Sequence, residues 1–341
     1  MSSESAGAVP PASSPDHTTW RAGLVAAAIA TLAFLPTLRA SFVYDDHRFY
    51  AGNAALVRPS ILVRAFTDPA CQTADDTYAG LWRPLRTLSF ALDRLLFGDA
   101  AFGPHLTNVT LHALCAALVV VLLRRLGASG VAAVLGAAVF ALHPAQVECV
   151  AWISSRGDLL ALAGVLGALS LGVQGRTVGA LVCGALALLA KEQAVVWPAL
   201  TVLVVCAAGR GLRAGLRAAL APAVGVLLIV IVRAALLEEP LQEGGLGDGP
   251  VRGARLLAML GHQATFLVLP AGSSFDWQMP TTGAPLLPIA AGLASLVWIV
   301  PRSTRIAALW VHAALVPTLY VQLAVPLNIL VAERFLPFAL P

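Results

Sequence analysis

Apolar runs close to the length of a membrane crossing recur from one end of this chain to the other. They fall at 20–38, 107–123, 131–149, 159–173, 178–190, 194–208, 218–237, 254–269, 285–300 and 306–325. A straight crossing needs roughly 20 apolar residues in helical form, so the shorter runs must borrow turns from their polar flanks. Backbone groups inside a bilayer must be satisfied within the segment, which makes these spans helices. Composition agrees: 58% of the 341 residues are hydrophobic and 12% are charged, about half the charge density of a soluble domain. The chain therefore reads as an all-α polytopic membrane protein.

Orientation follows from where the cations lie in the short loops. With the N-terminus inside, cytoplasmic loops hold Arg124 and Arg125, then Arg176, then Arg210, Arg213 and Arg217, whereas the short outer loops hold only Arg156 and Lys191. Segment 254–269 carries Arg255, His262 and Gln263 and suits an interfacial helix. Counting it so keeps Arg302 and Arg305 inside and leaves nine crossings with the C-terminus outside. Of 18 acidic residues, only Glu4 and Asp16 then fall on the cytoplasmic side. Residues 1–19 are polar and Ser/Pro-rich without a basic n-region, a disordered cytoplasmic tail rather than a signal peptide.

Other features exclude whole classes. The 21 Arg against one Lys reflect the codon bias of a GC-rich bacterial genome, and no basic tract with interleaved aromatics suggests a nucleic-acid partner. The five cysteines lack metal-ligand spacing, although a Cys71–Cys149 disulfide is open. No nucleotide loop or serine-nucleophile motif occurs.

Chemistry-bearing residues collect at the outer ends of the spans. The longest outer loop, 43–104, begins with Asp45 and Asp46 among Phe42, Tyr44, Phe49 and Tyr50. Partial burial beside aromatics can raise a carboxylate toward the range of a general base; an ordinary acidic loop end is the plainer alternative. The stretch 82–98 has apolar residues at helical spacing with Arg83, Arg86, Asp93 and Arg94 opposite, an amphipathic helix on the membrane surface. Its Arg86 and Arg94 suit solvent or lipid headgroups as well as chemistry. In the second outer loop His143, Glu148, Arg156 and Asp158 crowd between two spans, with Pro144 breaking the helix as it emerges. Polar groups there need partners or a ligand, and a structural Glu148–Arg156 pair would serve. Lys191 suits a phosphate at the outer leaflet or a boundary pair with Glu192. Glu333 and Arg334 close the series.

The motifs YDDHRFYAGNAAL, WRPLRTLSFALDRLLFG, GPHLTNVTLHAL, FALHPAQVECVAWISSRGDLLA, AKEQAVVWPAL, LPAGSSFDW and AERFLPF occur in this order. The ordered set resembles the transmembrane-and-tetratricopeptide-repeat O-mannosyltransferases and their bacterial relatives, within the GT-C superfamily. That resemblance implies a GT-C-like bundle of about nine transmembrane helices over 20–341 with interfacial helices in the outer loops. It places Asp45 and Asp46 as the catalytic carboxylates, or as holders of a Mg or Mn ion. Arg83, His143, Glu148, Arg156, Asp158, Lys191, Glu192 and Arg334 would line the donor-phosphate and substrate site. The family continues into further spans and repeats, so the expectation is a C-terminally truncated chain.

The activity so implied is transfer of a sugar, mannose in the nearest family, from a polyprenyl-phosphate donor to an acceptor hydroxyl on a protein or glycan. It would proceed with inversion on the extracytoplasmic face of a bacterial inner membrane. Two alternatives stay open, an inactive fragment or assembly subunit and a lipid or solute transporter. Transporters concentrate charge at the bilayer midplane, where this chain is almost free of ionisable groups, with His112, Arg233 and His312 the chief candidates.

Overall fold

The computed structural model describes residues 17–74 and 81–237. These residues fold as helices with no strand among them. The sequence segments at 254–269, 285–300 and 306–325, the count of nine crossings and Arg334 lie outside them.

Helix α1 (His17–Phe34) continues through a 3-10 turn to Arg39 and is followed by the large loop. That loop contains the short helix α2 (Ile61–Thr67) and then α3 (Pro84–Phe97). The remaining helices are α4 (Phe102–Arg125), α5 (Gly130–Leu142), α6 (Gln146–Ala151), α7 (Arg156–Val173), α8 (Thr177–Ala190), α9 (Trp197–Ala207) and α10 (Leu212–Leu236). Among the described residues, four stretches are long and apolar enough to cross a membrane: His17–Arg39, Phe102–Arg125, Ile153–Val173 and Leu212–Leu236. Three more, Gly130–Leu142, Thr177–Ala190 and Glu192–Ala207, are apolar but shorter. At 1.5 Å per residue, α5 with 13 residues covers only about 20 Å of a core roughly 30 Å thick.

The apolar run 131–149 is not one helix. Its regular backbone stops at Leu142, and Pro144 separates α5 from the six-residue α6, because proline supplies no N–H for the helical ladder.

Helices α1, α4 and α5 pack on one another, α4 also packs on α7, and α7 on α8; α10 lies along α9 and α8. Small residues set the approach. A Cβ on Gly164 of α7 would come within 2.8 Å of Ala187 Cβ and of Cys183 O on α8. In lipid, where apolar burial gives no net drive, this close backbone contact is what holds helices together. The outer surfaces of the long helices remain apolar: Leu24 and Leu32 on α1, Leu135 and Val139 on α5, and Leu220 and Leu227 on α10 are exposed. That is the surface a bilayer would cover.

The two ends of the bundle differ in character. At one end Arg124 donates to Thr19 Oγ1 (3.4 Å) and to Ala128 O (2.8 Å), and Arg210 donates to Val173 O (2.8 Å). An apolar cavity of about 230 Å³ near this end, between α7, α8, α9 and α10, has Arg217 in its lining. The opposite end receives the large loop, α3, α6 and the segment before α9.

Helix α3 corrects the surface-helix reading of its charges. The face bearing Arg86, Phe90 and Asp93 is buried at 1–2% exposure, while Leu92, Leu95 and Leu96 are exposed. The charged stripe therefore points into the protein rather than to solvent or headgroups, and the leucines point out.

Candidate functional site

The carboxylate pair is split by the backbone. Tyr44 adopts φ 45°, a left-handed conformation that L-residues enter at a cost, just before the two aspartates. Asp45 stays exposed, whereas Asp46 is fully buried. Asp46 Oδ1 accepts hydrogen bonds from Ser154 N (2.8 Å) and Ser154 Oγ (2.7 Å), and its Oδ2 accepts from Val43 N (3.1 Å). Burial pushes the Asp46 carboxyl above its ordinary value even against these three hydrogen bonds. Its position latches the large loop after α1 onto the segment that starts α7. The neighbouring Phe49 and Tyr50 complete the latch by packing with Leu56, Phe90 and Ile153. Burial and the Asp93 charge push the Tyr50 phenol up to about 12.

Arg156 is the hub of a second arrangement, immediately below. Its guanidinium meets Asp93 Oδ2 at 2.5 Å and donates to Asn108 Oδ1 (2.8 Å), Pro104 O (2.8 Å) and Ser89 O (3.3 Å), with its Cζ 4.7 Å from the Phe90 ring centroid. Arg156 therefore pairs with Asp93 on α3 and not with Glu148, which sits half-buried in α6. A guanidinium with five donors in a fixed fork so engaged clamps α3, α4 and α7 together. His143 closes the α5 break, its Nδ1 accepting from Ala145 N at 3.1 Å.

The third arrangement joins α3 to the two segments flanking α8. Arg83 donates through Nε to Glu192 Oε2 (3.0 Å) and through Nη2 to Glu192 Oε1. Burial opposes its charge, but the Glu192 carboxylate outweighs burial and holds the Arg83 guanidinium above its ordinary value. Lys191 Nζ meets Asp158 Oδ2 at 2.5 Å, so its partner is the carboxylate of α7 rather than the adjacent Glu192. Gly157 makes that approach feasible: a Cβ there would sit 3.2 Å from Ala190 O, 3.5 Å from Lys191 Cδ and 3.6 Å from Arg86 Cδ.

Several contributors were not legible as site residues. Arg233, read as a mid-span charge, reaches Glu192 at 3.8 Å and donates to Trp82 O at 3.3 Å. Arg86 lies within the cluster, and both Arg83 and Arg86 are in electrostatic reach of Asp45, Asp158 and Glu192. Ser154 and Asn108 carried no signal beyond being polar. Arg86 did carry one, since it follows Arg83 by three residues on the face opposite the leucines.

A divalent ion held by Asp45 and Asp46 would find the oxygens of Asp46 already accepting three hydrogen bonds. Hard cations take six or more oxygen ligands, and no group of three His, Cys, Asp or Glu that could hold a metal is gathered among the described residues. Cys71 and Cys149 lie in different clusters, with Ala55 and Ile61 and with Phe34 and Leu159 respectively, and no disulfide joins them.

Over 141 residues the chain is 40% identical to the Drosophila melanogaster Protein O-mannosyl-transferase Tmtc2, a stretch that makes up 40% of this chain and 15% of that protein. It is 38% identical over 134 residues to Tmtc1 of the same organism, covering 39% of this chain and 16% of that protein. The Homo sapiens TMTC2 is 34% identical over 141 residues, 40% of this chain and 17% of that protein. The chain is a relative of the TMTC protein O-mannosyl-transferases. It spans only 15–17% of the length of these relatives. No family model and no solved structure matches it.

At one end of the bundle, away from its apolar exterior, the exposed Asp45 carboxylate stands within electrostatic reach of the half-buried Arg83 and the buried Arg86 guanidinium groups. Such an arrangement can remove a proton at its exposed edge and neutralise an anion behind it.

Proposed function

We propose that this chain is a glycosyltransferase acting at the extracytoplasmic face of a bacterial inner membrane. It transfers a sugar from a polyprenyl-phosphate donor to a hydroxyl on an acceptor protein (Ser or Thr) or glycan, and its relatives' names favour mannose and a protein acceptor. One observation carries the reading. Asp45 is exposed at the end of an apolar bundle and within electrostatic reach of Arg83 and Arg86.

The donor's tail belongs in lipid and its phosphate at the bilayer edge, so base and cations must meet there. Asp45 takes the proton of the acceptor hydroxyl. The acceptor oxygen forms a bond to the anomeric carbon as the bond from that carbon to the phosphate oxygen breaks on the opposite face, inverting the centre. The polyprenyl phosphate leaves with the bonding electron pair and needs no protonating acid, so a single carboxylate suffices where a glycosidase requires two. Preorganised cations stabilise the charge that develops on the leaving phosphate. Asp46 and Arg156 hold the loops that present these groups, and His143 and Glu148 remain candidates for substrate contact from their motif. Arg334 remains a candidate for the same phosphate from its motif. No step is routed through a metal ion.

The decisive assay uses membranes containing the chain, a polyprenyl-phosphate donor labelled in mannose, and an acceptor peptide. Asp45→Asn should lower transfer by about 100-fold or more, the range of a lost general base, with unchanged expression. Full activity in that variant would remove the base from the mechanism.

A further inference from the structure

The cations of the cluster are not equally committed. Arg83 and Arg233 both face Glu192, and Lys191 faces Asp158. Arg86 is only 1% exposed, yet no carboxylate among the described residues forms an ion pair with it. Its one hydrogen bond, from Nη2 to Gln72 Oε1, is long at 3.4 Å, and its Nε has no hydrogen-bond partner among the described residues. The plane is held by aromatic faces instead, with Cζ 4.5 Å from the Phe49 ring centroid and 5.7 Å from that of Phe90.

A buried guanidinium left in this state is costly. Burial, and then the Arg83 charge, push it down to about 9, so it is still a cation at neutral pH. Among the described residues of this cluster, Arg83 and Arg233 share Glu192 and Lys191 holds Asp158, while Asp45, Asp158 and Glu192 act on Arg86 only through their field. The cation of the cluster with no ion pair among the described residues is that of Arg86. Stacking fixes its plane and leaves the edge, with Nε and the Nη groups, to bind in the plane. That edge geometry matches two oxygens of a phosphate. Asp45 is exposed and Arg83 and Glu192 are partly exposed, so the cluster that holds Arg86 reaches the surface of the protein.

We infer that Arg86 is the phosphate ligand of the lipid-linked donor, taking the single negative charge of its phosphodiester. This rests on the transfer reading above. It moves the main phosphate contact from Lys191 and Arg83, which are held in ion pairs, to a residue that the sequence left open between a solvent or headgroup contact and chemistry.

The test uses the full chain in lipid nanodiscs, with sugar-free polyprenyl phosphate as the binding probe and labelled polyprenyl-phosphate mannose as the substrate. Arg86→Gln should weaken binding of polyprenyl phosphate and raise the donor KM by about 10–100-fold, the range expected on losing a charged hydrogen-bonded contact. Its size-exclusion profile should match the wild type. Arg86→Lys keeps the charge but not the two-donor edge and should bind about tenfold more weakly; it decides the question if Arg86→Gln does not survive purification. Wild-type affinity in a folded variant of either kind overturns the role of Arg86 and leaves the transferase reading standing. A wild-type protein that neither binds polyprenyl phosphate nor transfers mannose overturns both. Binding of inorganic phosphate alone, dependent on Arg86 and without affinity for polyprenyl phosphate, would assign the guanidinium to a free anion and overturn the lipid-linked donor.

Discussion

Asp45 and Asp46 differ because the chain turns at Tyr44, whose φ of 45° carries a strain of about 1–2 kcal/mol that the packed aromatics after it must offset. The turn sends one carboxylate out and drives the other onto Ser154. Asp46→Ala would leave the Ser154 and Val43 donors without their acceptor and should cost at least about 2 kcal/mol, read as a lower unfolding midpoint in detergent. Asp45→Asn should leave that midpoint in place while losing transfer, so the two variants separate latch from base. The latch also has a pH signature. A carboxyl whose pKa is raised by folding binds its proton more tightly in the folded chain. Its favourable contribution is therefore full below 3.8, the ordinary value, and is lost as pH rises through the higher folded value. The stability gap between wild type and Asp46→Ala should shrink as pH is raised from 3.8 toward neutrality, and a gap that widens would contradict the burial argument.

Helix α3 shows how an element can keep its amphipathic pattern and reverse its meaning. In water the charged stripe of such a helix faces out. Here the exterior is fit for lipid, so Leu92, Leu95 and Leu96 face out and Arg86, Phe90 and Asp93 face in. The inward charges need partners, and Asp93 finds Arg156 across the interface with α7. Removing one member of a buried pair costs about 3–5 kcal/mol, whereas replacing both by apolar residues is often neutral. Asp93→Leu and Arg156→Met should each lower the unfolding midpoint sharply, and the double variant should recover most of the loss. Additive losses in the double variant would show that the ion pair itself is not what links the two helices.

At the scale of the molecule, the helices sort their polar residues to two ends. Arg124 and Arg210 close carbonyl and hydroxyl groups at one end, and Asp45, Asp46, Asp93, Asp158 and Glu192 with Arg83, Arg86 and Lys191 gather at the other. The proposed donor site requires the first end to face the cytoplasm, the side the positive-inside rule favours for it. In a cysteine-free background, Gly175→Cys should react with a membrane-impermeant maleimide only in inverted vesicles, and Asp45→Cys only in intact cells or spheroplasts. The reverse labelling would put the carboxylate on the side opposite to the proposed donor site.

The membrane class, most helix positions and the break at Pro144 were readable from the chain alone, because lipid imposes length, helicity and apolarity on consecutive residues. The motif order also pointed to the TMTC relatives. Periodicity identified α3 as amphipathic but could not say which face was buried, since that depends on what surrounds it. The partners were likewise hidden: Arg156 with Asp93, Lys191 with Asp158 and Arg233 with Glu192 join residues separated in sequence by 63, 33 and 41 positions. Whether a charge is neutralised, and so whether it has capacity left for a ligand, depends on groups brought within a few ångströms by packing. Sequence determined which residues could carry charge to the membrane boundary. Only the tertiary structure decided that Asp46 is buried, that Asp45 is exposed, and that Arg86 lacks a counter-charge among the described residues.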